Sequence, residues 1–534
     1  MVRKIIISQR LWAVVSLLAI LYVAIFDVRI IGAPDALQVQ YTPDDAYYYL
    51  GLAKNFAAMG SWTFDSGLST TSGFHPLLAY LLSFLYRLFQ PTIGEFVREG
   101  LIVSSLITIL AGLVVWISGL RESRPYYMLF LTLLVSSKNY VYNSVSLMEW
   151  PLVILFASLY CMFFYRSYDT SRRGDFIILF LLGMFGSLAR SDFGLLPFSL
   201  FLASSILFRP SKNRAAVLTS FAGLLGAALG VLLIFVQNQV FTGHVLQSSA
   251  MAKAHWAKIY GPAYRDSLHL VVEALGIEFL GSRFLTVILI TGLGVIGIFV
   301  ASRMRRKREF REFHLTYNKW LPSFRELTVL AAGMLCIVGY TLMYSHIRGA
   351  QPWYTANLVV PIFIVLFVVA NYIDKALENN PREFAALGIS IIVMSVMVGN
   401  IASTHDVGTF KSPWSHQQVM LEAGNYLRQH VLDGKIGSWN AGIIGYYQGG
   451  TVINIDGLAN DQIYNYAVSN SLPFYLSQEG IKYIIDFESM LNDKKHRLRG
   501  GYDDASFLNS LTPIRVFDEG QYKWKHLTLY RVTP

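Results

Sequence analysis

Asp44 and Asp45 stand side by side a few residues beyond the first apolar run, in Tyr41-Thr42-Pro43-Asp44-Asp45-Ala46-Tyr47-Tyr48-Tyr49. A carboxylate there can take a proton from an attacking hydroxyl, and at a helix start it can equally neutralise free N–H groups. Of the two, Asp44 is expected to be the base and Asp45 to orient the loop. His75 follows in Gly73-Phe74-His75-Pro76, where a cap and a functional group fit equally. Glu149, in Ser146-Leu147-Met148-Glu149-Trp150-Pro151, and the pair Arg190 and Asp192, in Ala189-Arg190-Ser191-Asp192-Phe193-Gly194, lie at the edges of further apolar runs. Ionisable residues in such places mark functional sites by default, although Arg190 and Asp192 also suit each other as an ion pair. Lys253 is a compact cation of the kind that contacts phosphate, and His255 is two residues on. The turn from Ser345 to Tyr354 adds His346, Arg348, Trp353 and Tyr354, whose aromatics suit either a membrane belt or a sugar platform.

Positioning these groups falls to a chain of 534 residues, 54% hydrophobic and only 15% charged, with mean hydropathy +0.43. The apolar residues fall in repeated runs of about 20, the length that spans a bilayer, which excludes a soluble enzyme. Cys161 and Cys336 both lie inside apolar runs, so neither a disulfide framework nor a zinc cluster is built from them. The net charge of +10 sits mostly in short loops, above all Arg303, Arg305, Arg306, Lys307, Arg308, Arg311, Lys319 and Arg325. That distribution sets topology rather than nucleic-acid binding. With the basic N-terminal flank in the cytoplasm, the first loop (32–75), the turns at Glu149 and Arg190, the stretch 237–281 and the turn 345–354 all face outward.

About twelve apolar runs are visible, whereas a cytoplasmic start and an external end need an odd number. The expectation is 11 or 13 transmembrane helices, with a short or broken element between Phe74 and Asn143. Near residue 400 the composition changes to mixed charge, with helical periodicity over Gln418–Val431 and Asp461–Ser469 and short apolar strands at Thr451–Ile455, Tyr483–Asp486 and His526–Val532. The chain therefore divides into a membrane domain, 1–400, and an external α/β domain, 401–534. Trp439, Asn440, Asp456 and Asn460, in two turns of the second, are candidate acceptor contacts or ordinary strand-end turns.

Taken in order along the chain, Asp44-Asp45-Ala46-Tyr47, Gly73-Phe74-His75-Pro76, Met148-Glu149, Ala189-Arg190-Ser191-Asp192, Pro352-Trp353-Tyr354 and Ile455-Asp456-Gly457-Leu458-Ala459-Asn460 resemble patterns of bacterial GT-C glycosyltransferases. These are integral-membrane enzymes that use polyprenyl-phosphate sugars. The layout is similar to arabinofuranosyltransferase-like members with a C-terminal periplasmic domain. The resemblance implies a polyprenyl-phosphate-linked sugar donor and a cell-envelope glycan or glycolipid acceptor, with no nucleic acid. It places the protein in a bacterial inner membrane with its site on the periplasmic side. It implies inverting transfer, with Asp44 as base and with Lys253, Arg348, Arg190, His255 and His346 around the leaving phosphate. No obligatory metal is expected; Mg or Ca is the alternative that the carboxylates would suit. A protein glycosyltransferase of the same fold remains open, as does a transporter or lipid flippase, whose ionisable groups would lie near the membrane midplane.

Overall fold

The computed structural model describes residues 9–533 apart from 123–124, 171, 208–212, 277–322, 377–393, 403, 407–408, 431, 518–523 and 525. The first apolar run is α1 (Gln9–Ile31), whose 23 residues span about 34 Å at 1.5 Å each. Six of the described helices are long and apolar enough to cross a membrane: α1, 93–120, 150–167, 214–242, 324–345 and 352–369; two more, 76–89 and 191–206, are apolar but shorter. The protein is an integral membrane protein. The expected 11 or 13 spans reach into 277–322 and 377–393, outside the described residues.

Between Phe74 and Asn143 the chain holds α3 (Pro76–Phe89), α4 (Ile93–Glu122), α5 (Pro125–Val135) and α6 (Lys138–Asn143). The broken element is the α5–α6 pair, interrupted at Ser136-Ser137, where the Ser137 hydroxyl accepts the Tyr140 N–H at 3.1 Å. The stretch 100–119 lies within the 30-residue α4 and is neither short nor broken. The following elements are α7 (Trp150–Ser167), α8 (Arg173–Ala189), α9 (Leu195–Ile206), α10 (Arg214–Thr242), α11 (Ser248–Tyr260), α12 (Tyr264–Ala274), α13 (Phe324–Ser345) and α14 (Ala356–Ala376).

The helix that carries the Asp pair, α2 (Asp44–Met59), is buried on all sides over residues 46–53. The tyrosines explain this, because they find partners on both sides. Tyr47 packs against Tyr446 and Tyr447, with ring centroids 5.5 and 5.8 Å apart, while Tyr48 meets Phe64 at 4.8 Å.

The C-terminal part contains α15 (Gln417–Gln429), β1 (Lys435–Ser438), α16 (Ala441–Gln448), β2 (Val452–Asn454), α17 (Ile463–Val468), α18 (Leu472–Gln478), β3 (Ile481–Phe487), α19 (Lys494–Gly500), β4 (Leu511–Val516) and β5 (Leu527–Val532). Its five strands run in the order β2-β1-β3-β5-β4, with β1 parallel to both neighbours and β5 antiparallel to both of its own. One apolar core is continuous from the membrane helices into α15, α16 and the sheet, and a second core, around Trp439, Ile453, Leu472 and Tyr502, belongs to this part alone.

Candidate active site

Successive residues of a helix point about 100° apart, so the two carboxylates at the start of α2 face different neighbours. Asp44 faces α16. That short helix lacks a side-chain cap of its own, and its free N–H groups find Asp44 instead: Ile443 donates to Oδ1 at 2.6 Å and Gly442 to Oδ2 at 3.3 Å. The approach is close enough that a Cβ on Gly442 would fall 2.2 Å from the Asp44 carbonyl oxygen. Burial, joined by the nearby Asp45, pushes the Asp44 carboxyl up to about 8 against the two N–H donors.

Asp45 points the other way, into a cavity lined by seven chain segments. Its walls include Tyr49 and Leu52 of α2, His75, Glu149, Arg190, Lys253 of α11, Trp353 and Tyr354, and Leu458 and Ala459 of the C-terminal part. Among the described residues, no side chain or N–H group is hydrogen-bonded to the Asp45 carboxylate. Burial raises its pKa, Lys253 pulls it back and Glu149 adds to the rise. The structure thus exchanges the positions expected of the pair: Asp44 binds a helix end, and Asp45 is the carboxylate free in the cavity.

The remaining polar groups arrive from helix ends on one side of the membrane body. His75 precedes α3, Glu149 precedes α7, Arg190 ends α8, and Tyr354 begins the span at 352–369. Glu149 is 3% exposed; its Oε1 accepts the Tyr49 hydroxyl, while its Oε2 has no hydrogen-bond partner. Arg190 is also buried. It grips Asp192 through Nε (3.0 Å) and Nη2 (2.8 Å), leaving Nη1 3.9 Å from Glu149 Oε2. Asp192 is fixed in turn by the Tyr344 hydroxyl at 2.9 Å and Asn357 Nδ2 at 2.8 Å. It is therefore a buttress that aims Arg190.

Lys253 Nζ donates to the Tyr354 hydroxyl at 2.9 Å, and the Arg190 guanidinium lies 4.4 Å from the centroid of the same ring. Burial opposes the Lys253 charge, but Tyr354 and Asp45 outweigh it and raise its pKa. The His75 main-chain N–H donates to the Tyr49 hydroxyl (3.0 Å). Its ring Nδ1 is 3.4 Å from Gln247 Nε2, and its Nε2 is 3.9 Å from Glu149. Burial lowers the His75 pKa, so the ring is neutral near pH 7. Two cations, a neutral imidazole and two carboxylates thus meet where these helices begin and end, out of bulk water.

Several expected members lie elsewhere. Arg348 pairs with Asp266 at 2.9 Å, and its side chain does not line the cavity. His346 is exposed, with Nδ1 2.8 Å from the Leu342 carbonyl. His255 turns toward the C-terminal part, its ring 6.4 Å from Tyr464. Trp439 is 1% exposed and packs on Tyr502, so no acceptor can stack on it. Asn440 gives both its main-chain N–H and its side chain to Asp486 (2.8 and 2.7 Å), and Asn460 is spent on the Asn454 carbonyl and the Tyr475 hydroxyl. Asp456 stays near the site. Burial pushes its carboxyl up to about 7, and it accepts the Leu458 N–H at 2.7 Å, shaping the loop that forms a cavity wall. These turn residues build the C-terminal part itself, which is why their side chains are turned inward.

The sequence reading missed Tyr49, Tyr48, Gln247 and Asp461. Tyr49 was findable, since it lies four residues after Asp45 on the same helix face. Tyr48 accepts the Ala441 N–H (3.0 Å) and Asn454 Nδ2 (2.9 Å), and Asp461 accepts the Ser72 N–H (2.8 Å) and hydroxyl (2.7 Å). Both are latches between the first loop and the C-terminal part, and local sequence carries no sign of such distant pairings. Also unread was Asp27, buried in α1 and held by the hydroxyls of Ser105 and Ser144. Among the described residues, no three His, Cys, Asp or Glu side chains gather as metal ligands do.

The chain has the GT-C fold. It is similar over 98% of its length to 97% of ArnT from Cupriavidus metallidurans bound to undecaprenyl phosphate, with TM-score 0.51 and 12% identity. It is similar over 91% of its length to 93% of the apo form of that protein, with TM-score 0.50 and 11% identity. An oligosaccharyltransferase from Archaeoglobus fulgidus, in complex with Zn and sulfate, aligns with 88% of this chain and 68% of its own at TM-score 0.47 and 13% identity. A family model described as a domain of unknown function, DUF8728, matches residues 409–530. No curated protein matches the sequence.

Proposed function

We propose that the protein is a membrane glycosyltransferase that transfers a sugar from a polyprenyl-phosphate donor to a cell-envelope glycan or glycolipid, with inversion, on the non-cytoplasmic face. The observation that carries the reading is the unbonded Asp45 carboxylate facing Lys253 and Arg190 across a buried cavity at one end of the membrane helices. The fold shared with a protein solved with undecaprenyl phosphate supports a polyprenyl lipid as ligand. In this reading the acceptor hydroxyl attacks the anomeric carbon and its proton passes to Asp45, whose raised pKa makes it a stronger base than an ordinary carboxylate. The anomeric carbon–oxygen bond to phosphate breaks on the opposite face. Lys253 and Nη1 of Arg190 stabilise the departing phosphate in a site where exclusion of water strengthens their field. The neutral His75 donates a hydrogen bond, and Glu149 Oε2 receives a sugar hydroxyl.

The C-terminal part, from about residue 401, acts in this account as an external domain that closes the cavity through Leu458 and Ala459 and needs no metal in the reaction. The test is mass spectrometry of envelope glycans and polyprenyl-linked sugars in cells with and without the gene. A glycosyltransferase leaves donor accumulated and a glycan truncated when absent; unchanged profiles would reject the reading.

A further inference from the structure

A strip of cations continues from the cavity along α11. Lys253, Trp256 and Tyr260 share one face of that helix, at spacings of three and four, and Lys253 is the cavity ammonium. Beyond it each aromatic ring carries cations. The Arg499 guanidinium lies 4.4 Å from the Trp256 centroid, and Arg348 and Lys495 lie 5.3 and 5.5 Å from that of Tyr260. The His496 ring faces Tyr260 at 6.4 Å and stacks on Trp524 at 6.4 Å. Asp266 balances Arg348, Asp493 acts on Tyr260 and His496, and Asp456 is close enough to Arg499 for its pKa to be lowered by it. Among the described residues, Lys258, Lys494, Lys495 and Arg499 have no carboxylate within the 4.0 Å of an ion pair. The Tyr260 hydroxyl, in the middle of the strip, is buried without a hydrogen-bond partner.

Cations still outnumber carboxylates on this strip; like charges repel, and holding the excess costs stability that a bound anion would recover. Rings beneath the guanidinium and ammonium groups keep them extended and partly dehydrated, which favours charge-assisted bonds to phosphate oxygens. A neutral glycan would leave the charge uncompensated. We propose that this strip, formed by α11 and α19, binds the phosphate of a membrane anion, either an anionic lipid headgroup or a phosphate on the acceptor, and holds it beside the cavity entrance. The proposal goes beyond the transfer reaction, and its test involves no transfer, so either can fail alone.

The test is thermal unfolding of the full-length protein in neutral detergent, titrated with dihexanoyl phosphatidylglycerol, dihexanoyl phosphatidylcholine or inorganic phosphate. The wild type is compared with a K494Q/K495Q/R499Q variant and with a K411Q/R428Q/K482Q variant, which loses equal charge elsewhere on the C-terminal part. The expected result is protection by phosphatidylglycerol and not phosphatidylcholine, with half-saturation at least ten-fold higher in the first variant and within two-fold of wild type in the second. Protection by inorganic phosphate at a similar concentration supports a phosphate carried by the acceptor; protection by lipid alone supports a headgroup. Equal protection of all three proteins, or none of any, overturns the proposal.

Discussion

Replacing Asp44 tests whether the first carboxylate is a structural latch. In Asp44→Ala the Gly442 and Ile443 N–H groups lose their acceptor at a buried junction. An unsatisfied buried donor costs about 1–3 kcal/mol. Water entering the space left by the carboxyl offsets part of this, so a net loss of about 2 kcal/mol in local stability is expected. Since 1.4 kcal/mol is tenfold in an equilibrium constant, these amides should exchange with deuterium roughly thirty-fold faster. Asp44→Asn should behave differently. With its pKa pushed up to about 8, Asp44 is mostly neutral at pH 7, and an amide preserves shape, neutrality and one acceptor oxygen. Exchange should stay within a few-fold of wild type. The sign of the pH effect follows from the same shift. A carboxyl with its folded pKa above the unfolded value of 3.8 contributes stability fully present below about pH 4 and lost as pH rises through about 8. Protection of Gly442 and Ile443 in the wild type should therefore weaken between pH 5 and 9, and Asp44→Asn should flatten that slope. Wild-type exchange in Asp44→Ala, with the slope intact in Asp44→Asn, would refute the latch.

The same junction is sensitive to a single methyl group: a Cβ on Gly73 would lie 1.8 Å from the Leu458 carbonyl oxygen. Gly73→Ala should therefore lower stability by about 1–3 kcal/mol, read as a lower midpoint of thermal unfolding and faster proteolysis of the C-terminal part. Lys253→Gln should weaken binding of polyprenyl phosphate at least ten-fold by native mass spectrometry while leaving the unfolding midpoint within a few degrees. Arg190→Gln should lower both, because it also strips Asp192 of its bidentate partner in a buried site. Transfer by the purified protein should survive excess chelator; complete loss restored by one divalent cation would overturn the metal-independent mechanism.

Much of this site was legible because its charged groups sit where apolar runs begin and end, and hydropathy marks those points in any sequence. Glu149, Arg190 and His75 were placed that way, Lys253 by its charge type, and the pairing of Arg190 with Asp192 followed from their spacing. The orientation expected within Asp44-Asp45 is reversed because it depends on α16, nearly 400 residues away. That helix was itself unread, since Ala441-Gly442-Ile443-Ile444-Gly445 has two glycines and no local cap. Strands β1 and β4 escaped for related reasons. Lys435-Ile436-Gly437-Ser438 shows little alternation, and β4 lies on the sheet edge with its residues mostly exposed. Arg348, His346 and His255 lie close in sequence to residues that line the cavity, but none of the three lines it. Helical phase, rather than distance along the chain, decides which residues share a cavity.

The central claim is that Asp45, not Asp44, accepts the acceptor's proton. Asp45→Asn and Asp44→Asn are each expressed to equal level in cells lacking the chromosomal copy, and envelope glycans and polyprenyl-linked sugars are profiled by mass spectrometry. Cells with Asp45→Asn should accumulate the lipid-linked sugar and a truncated glycan, as the deletion does, while cells with Asp44→Asn should match wild type. A wild-type profile from Asp45→Asn, or the deletion profile from well-folded Asp44→Asn, would contradict the assignment.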